Sequence, residues 1–280
     1  MDRYLVLGHP VAHSKSPWIH QQFAEQTGQD LCYDRQELPV DGFVEGVQAL
    51  VADGVRGMNV TVPFKEQVPA LCQHLSERVK RAGAANTVYI TEEQTLACDN
   101  TDGIGMVRDM RENCGWQIAG LRVLVLGAGG AVRGVLAPLL AEKPAQLVIA
   151  NRTASKAQAL AELFADLAEE ASTAIQGCGF DALAGQQFDL IINGTSASLQ
   201  GDVPPLPADV LDANGAAYDM MYGAQPTAFL RWVQAHSQAR CQDGLGMLVE
   251  QAAESFWIWR GVRPQTAPVI AKIRQSLLTG

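Results

Sequence analysis

The stretch LRVLVLGAGGAVRG, residues 121–134, constrains this chain more than any other. An apolar run ends in closely spaced glycines and leads into a helical pattern. A strand buried on both faces reads as such a run. Gly127 allows a tight turn, and Gly129 lets backbone approach a pyrophosphate. The start of the next helix offers N–H donors and the positive end of a helix dipole. The sixth fingerprint position is Val132 where Gly or Ala is usual, so the match is partial. A second apolar strand, QLVIA at 146–150, lies at the distance such a fold requires.

The end of that second strand usually carries an acid that grips a ribose hydroxyl. This chain has Asn151, Arg152, Thr153 and Lys156 there. Thr153 suits an N-cap, and Ala157, Leu160, Ala161, Phe164 and Ala168 follow at helical spacing, so Lys156 falls in a first turn. Arg133 is early in the helix after the glycines. Cations at helix starts oppose the macrodipole unless an anion binds between them. A 2′-phosphate on the adenosine ribose is such an anion, so these residues favour NADP over NAD. Two charge-assisted contacts at roughly 1.5–3 kcal/mol each would give about hundredfold discrimination or more. The alternative is a pair of solvated surface cations.

Strands and helices alternate from the first residue. YLVLG, LCYDRQEL and GMNVTV read as strands, SPWIHQQFAEQTG and VDGFVEGVQALVADG as helices, and PFKEQVPALCQ as a short helix. Ser16 suits the N-cap of the first helix, with Pro17 behind it. ANTVYI and TLACD resemble a hairpin, and a helix follows from about Thr101 to Cys114. After the glycine turn come helix 129–143, strand 146–150, helix 153–170, a strand near Thr173, then strands FDLIIN and AAYDMM. The rest reads as helix at 225–236, 244–260 and 266–278. Alternation twice over predicts two α/β domains with parallel or mixed sheets. The junctions fall at DNTDGIG (99–105) and CQDGLG (241–246), and the final helices can complete the first domain.

With 280 residues the chain can bury two cores, and its net charge of −9 argues against nucleic acid or an anionic membrane as the main partner. Six cysteines lie too far apart for CxxC or zinc spacing, and five histidines make no HExxH, so no metal is expected. Scattered thiols suggest a reducing, cytoplasmic setting. The opening MDRYLVLGHP reads as a strand and not as a signal peptide.

Several polar residues sit at strand ends beside the nucleotide segment. Ser14 and Ser16 stand in a loop entering a helix; a cap accounts for Ser16 but not for Ser14. Thr61 ends a strand, Lys65 falls in the first turn of the helix opened by Pro63, and Asn86 starts a strand. DNTDG packs two acids, Asn and Thr into five residues. Together they predict a binding cleft between the two domains.

GHPVAHSKSP, NVTVPFK, GAANT, DNTDG, GAGGAVRG, NRTASK, NGTS, YDMMY and DGLGMLVEQAA, in that order over residues 8–253, resemble the shikimate dehydrogenase family. The resemblance implies a substrate-binding domain of residues 1–102 plus 244–280 and a Rossmann-like NADP domain of residues 103–243. It implies reversible reduction of 3-dehydroshikimate to shikimate by NADPH, a step towards the aromatic amino acids. Lys65 and Asp102 resemble the acid–base pair. Ser14, Ser16, Thr61, Asn86, Asp102, Tyr222 and Gln251 resemble substrate contacts. Gly127, Ala128, Gly129, Gly130, Ala131, Asn151, Arg152, Thr153, Lys156, Met220, Gly244 and Glu77 resemble cofactor contacts. The chain departs where the family usually reads NATSxG: here stand Asn193, Gly194, Thr195, Ser196, Ala197 and Ser198. Met58 replaces a common Ala. The expected partner is the small-molecule substrate, with no nucleic acid and no membrane, in a monomer or homodimer. Rival readings are quinate as substrate, an NADP-binding regulator without catalysis, and a folate dehydrogenase of similar fold.

Overall fold

The computed structural model describes residues 1–197 and 201–279; Ser198 of the NGTSAS stretch lies outside the described residues. The chain divides into two compact units, Met1–Gly105 with Val249–Val269, and Met106–Leu248 with Ile270–Gly280.

The first unit opens with β1 (Asp2–Gly8), α1 (Ser16–Thr27), β2 (Leu31–Glu37), α2 (Phe43–Ala52) and β3 (Val55–Val60). There follow β4 (His74–Leu75), α3 (Glu77–Ala82), β5 (Thr87–Ile90), β6 (Leu96–Asp99) and α4 (Asp102–Arg108), which starts in this unit, continues into the second and there widens into a π-helical turn at Asp109–Asn113. The sheet order is β2-β1-β3-β5-β6-β4. β1, β2 and β3 run parallel, while β5 pairs antiparallel with both β3 and β6. The hairpin expected from ANTVYI and TLACD is this β5–β6 pair, and it makes the sheet mixed. Phe43 stacks on Phe64 at 4.4 Å in the core on one side. On the other side Tyr33, Phe23, Phe256 and Trp259 surround His20.

Two local expectations fail here. PFKEQVPALCQ is not an α-helix. It forms successive turns, Phe64 N–H to Thr61 O and Gln67 N–H to Phe64 O, and then a 3-10 turn at Val68–Leu71. The Lys65 carbonyl, which an α-helix would need, accepts instead from Ala85 N–H at 2.9 Å. Pro69 also lacks the N–H that such a helix would use. Lys65 therefore does not stand at a helix start. Ser16, in turn, is the first helical residue of α1, preceded by Lys15 at the cap position with no side-chain cap bond. Ser14 takes the capping part: its Oγ accepts from Ser16 N–H at 3.3 Å.

The second unit carries β7 (Arg122–Leu126), α5 (Gly130–Ala141), β8 (Gln146–Ala150), α6 (Ala154–Leu163), α7 (Ala165–Ala171) and β9 (Ala174–Cys178). Then come β10 (Phe188–Asn193), β11 (Leu211–Asp219), α8 (Ala228–His236) and β12 (Arg240–Asp243). The order β12-β11-β10-β7-β8-β9 is parallel throughout, the doubly wound arrangement that reverses direction between β7 and β10. Alternate residues of β7 enter cores on opposite faces, Val123 and Val125 on one and Leu124 and Leu126 on the other. The expected helix 153–170 is two helices, broken at Phe164, whose fully buried ring takes a core position while its backbone leaves the helical region. Gly177 brings β9 into backbone contact with α6: a Cβ there would meet Ala157 O at 2.2 Å. β12 was not expected, because its four residues, RCQD, are too short and polar to show a strand period.

α9 (Leu245–Arg260) begins in the second unit and continues in the first, and α10 (Ala267–Thr279) does the reverse. In FWIWRG, which ends α9, Phe256 is fully buried and Trp259 stacks on Tyr4 at 4.7 Å, while Trp257 stays 45% exposed.

Candidate functional site

Ligands of doubly wound sheets bind beyond the carboxyl ends of the strands, where the order reverses. Here those ends open onto a cleft of about 820 Å³. Gly127 turns the chain out of β7 with φ of 106°, a region side chains resist. A Cβ on Gly129 would meet nothing within 4 Å, so the backbone of the turn faces open space. Gly127, Ala128, Gly129, Gly130 and Ala131 all line the cleft, with Asn151, Arg152, Thr153 and Lys156 on its second wall. Arg152 and Lys156 are exposed and have no ion-pair partner among the described residues. Lys156 is in the first turn of α6, a turn without an acid, as the sequence predicts. Thr153 holds the cap position without a side-chain cap bond, and Asn151 Nδ2 donates to Thr153 O at 3.0 Å. Open backbone, helix start and two cations fit a dinucleotide with an extra phosphate.

The cleft also has a wall that sequence reasoning passed over: Phe180, Val203, Pro204 and Pro205, apolar groups suited to a flat ring. The proline pair was the available signal. Gly194, the departure from the family pattern, packs closely: a Cβ would meet Val132 Cγ2 at 2.4 Å and Met220 Sδ at 3.1 Å. Asn193 Oδ1 accepts from both the N–H and the hydroxyl of Thr195, at 3.1 and 2.8 Å, which sets the start of that loop. Met220 and Gly244 are brought together, since a Cβ on Gly244 would meet Met220 O at 2.2 Å. Tyr222 stands in the turn after β11, where burial, with Asp243 adding, raises its phenol pKa.

In the first unit Lys65 Nζ donates to Asp102 Oδ2 at 2.6 Å, their side chains 31% and 16% exposed. The other carboxylate oxygen accepts from Asn86 Nδ2 at 2.8 Å. The same Nδ2 lies 3.2 Å from Gln251 Oε1 and 2.9 Å from Thr101 Oγ1. Asn86 Oδ1 accepts from Thr101 N–H at 2.9 Å and from the Thr87 hydroxyl at 3.0 Å. Beneath these, Asn59 Nδ2 donates to Asn86 O and to Ser255 Oγ at 3.1 and 3.0 Å, and Tyr33 OH donates to Asn59 Oδ1 at 2.7 Å. Burial drives the Tyr33 phenol well above its ordinary pKa, offset in part by a hydrogen bond with Ser16. Thr61 follows β3, its N–H donating to Leu7 O at 2.9 Å, so it lies at the same sheet end as Gly8.

Lys65, Asn86, Asp102 and Gln251 thus form one contact set, with Ser14 and Thr61 on the loops after β1 and β3 and Ser16 at the start of α1. Asn59, Thr87 and Ser255 complete it and were not singled out by the sequence reading, and Thr101, read only as the Thr of DNTDG, joins them. An Asn in an otherwise apolar strand and a Ser four residues after Gln251 were the signals. Glu77 is different: at the start of α3, its side chain is 81% exposed and pairs with Lys80 at 2.6 Å, which lowers its pKa. Among the described residues, no group of three His, Cys, Asp or Glu could hold a metal, and no helix is long and apolar enough to cross a membrane.

Three family models match the chain: the shikimate dehydrogenase substrate binding domain over residues 6–88, shikimate / quinate 5-dehydrogenase over 110–200, and the shikimate 5′-dehydrogenase C-terminal domain over 244–274. A shikimate dehydrogenase (NADP(+)) of Thioalkalivibrio sulfidiphilus is 57% identical over 98% of both chains. The crystal structure of an Ael1 enzyme from Pseudomonas putida superposes with a TM-score of 0.90 at 46% identity, covering 97% of this chain and 98% of that one. A Thermus thermophilus shikimate 5-dehydrogenase in complex with NADP(H) and shikimate gives 0.82 at 34% identity, over 99% of this chain and all of that one. The glycine turn, its two cations and this relatedness along the whole chain lead to one assignment: the chain belongs to the NADP-dependent shikimate dehydrogenase family.

Proposed function

We propose that this protein catalyses the reversible reduction of 3-dehydroshikimate to shikimate with NADPH, in the synthesis of aromatic amino acids. The observation that carries the reading is the Lys65–Asp102 pair, joined through Asn86 to Gln251. When bound, NADPH supplies the hydride. Lys65 stabilises the negative charge that develops on the carbonyl oxygen and gives that oxygen its proton. Asp102 holds the ammonium in place through its 2.6 Å hydrogen bond. In the reverse direction Lys65 takes the hydroxyl proton. Ser14, Ser16, Thr61, Asn86, Tyr222 and Gln251 offer hydroxyl and amide groups of the kind a polyhydroxy acid needs. Gly127 to Ala131 cradle the pyrophosphate, Arg152 and Lys156 take the 2′-phosphate, and Met220 and Gly244 shape the nicotinamide end. Residues 1–102 with 244–280 serve the substrate and 103–243 the cofactor. Glu77, exposed and paired with Lys80, is given the nicotinamide end only on the family resemblance. The six free thiols support a cytoplasmic location, as a monomer or homodimer.

The test mixes the protein with NADP and shikimate at mildly alkaline pH and follows reduction of the cofactor, with quinate and NAD in parallel. Fast reduction with shikimate and NADP alone is expected. Equal rates with NAD would remove the role given to Arg152 and Lys156. Turnover of quinate in place of shikimate would make quinate the substrate, since pockets discriminate weakly against one added hydroxyl.

A further inference from the structure

Asp102 owes its place to the turn between β6 and α4. Its N–H donates to Asn100 Oδ1 at 3.2 Å, and Asn100 Nδ2 donates to Ala84 O at 3.0 Å. The Asn100 N–H donates to Asp99 Oδ1 at 2.7 Å. Asp99, almost buried at the end of β6, is clasped by one guanidinium: Arg78 Nε to Oδ1 at 3.0 Å and Nη2 to Oδ2 at 2.6 Å. Ser76 Oγ, which caps α3 by accepting from Val79 N–H, donates to Asp99 Oδ1 at 2.6 Å. The same Arg78 Nη2 stands 3.6 Å from Glu254 Oε1. Glu254 is buried on α9, three residues after Gln251, and its other oxygen accepts from Arg263 Nη2 at 2.6 Å. Two carboxylates and two guanidiniums balance in charge, so the cluster has no need of an outside ion.

We propose that Arg78 is a positioning residue that sets the spacing between Asp102 and Gln251. One rigid planar group grips the segment carrying the first and faces the helix carrying the second. Asn86 Nδ2 lies between their side-chain oxygens, 2.8 and 3.2 Å away, and spans them only while both walls keep this separation. Gly105 lets the walls approach: a Cβ there would meet Gln251 N at 2.6 Å. A lysine at position 78 would keep the charge but lose the fork, satisfying one carboxylate at a time.

This inference rests on shikimate being the substrate, which turnover by the unaltered protein checks separately. Three variants are compared with it: Arg78→Lys, Arg78→Ala and Glu254→Gln. In Arg78→Lys, the KM for shikimate should rise, and kcat fall, each by about tenfold, while the dissociation constant for NADP stays within about twofold. Guanidinium chloride at low millimolar concentration should restore part of the shikimate KM of Arg78→Ala, and ammonium chloride should not. Should Arg78→Ala fail to fold, Glu254→Gln carries the test, with a rise of about threefold or more in shikimate KM at unchanged NADP affinity. Normal shikimate kinetics in a folded Arg78→Lys, or NADP affinity falling in step with shikimate affinity, overturns the proposal and leaves the enzyme assignment standing. An unaltered protein that binds NADP but does not turn over shikimate overturns both.

Discussion

The two units prepare for their ligands in opposite ways. In the first, the polar groups are bonded to one another before any ligand arrives: Lys65 to Asp102, Asn86 to Asp102, Asn59 to Ser255. In the second, the cleft is made of open backbone and two exposed cations without ion-pair partners among the described residues. A buried polar group left unbonded costs roughly 1–3 kcal/mol, so a polar set half sunk in a mixed sheet must be satisfied from within. An exposed helix start stays hydrated and can wait for its anion at little cost. The first site is therefore set by a network, the second by local charge and turn geometry.

The most severe way to break this comparison is Lys65→Ala. Turnover should fall by about three orders of magnitude or more, with circular dichroism and NADP affinity unchanged. Near-normal turnover would show that the network does not centre on the reaction. Gly244→Ala asks whether the second unit is as tolerant as its open cleft suggests. The added Cβ meets backbone at 2.2 Å, so a loss of about 3 kcal/mol or more is expected in urea unfolding, together with weaker NADP binding. An unchanged midpoint would mean that the turn yields.

His20 sharpens the comparison from the other side, as the exception within the first unit. It is fully buried and, among the described residues, neither ring nitrogen has a hydrogen-bond partner. Burial holds its pKa down to about 3. The unfolded chain binds a proton near the ordinary value while the folded chain does not, so this group lowers stability as pH falls below about 6.5 and reaches its limit near the folded value. About 2 kcal/mol should be lost between neutral pH and pH 5, measured by urea unfolding. In His20→Phe that part of the slope should vanish; if the slope persists, other groups carry it. The smallest effects belong to Arg152→Ala and Lys156→Ala. Each should raise the KM for NADP by about tenfold, leave that for NAD within twofold, and leave stability unchanged or slightly higher, because a cation leaves the neighbourhood of a helix start. Equal losses with both cofactors would mean that the pair does not read the 2′-phosphate.

How much was legible follows the same division. The second site is written in a few contiguous residues, and its strands at 146–150 and 188–193 begin and end where the sequence places them. The Lys65–Asp102 pair spans 37 positions, and no local period announces it; only the family resemblance put the two side by side. The segment around Lys65 read as a helix because its apolar spacing is helical, yet Ala85 takes the carbonyl on which that helix depends. α3 went unread although its signals were present, a Ser76 cap, Lys80 and Arg81 in the last turn, and Gly83 at φ of 65°. At six residues it falls below the length at which periodicity speaks.

The distance in sequence between Asn86 and Gln251, 165 positions, has a practical reading. On the proposed function, cofactor preference is a cassette: residues 151–156 follow the end of β8 and can be exchanged as one short block without disturbing a strand. Substrate preference is not portable in that way. The residues proposed for it come from both ends of the chain, so on that reading a graft that alters the acid must carry the first hundred residues and the return helix together.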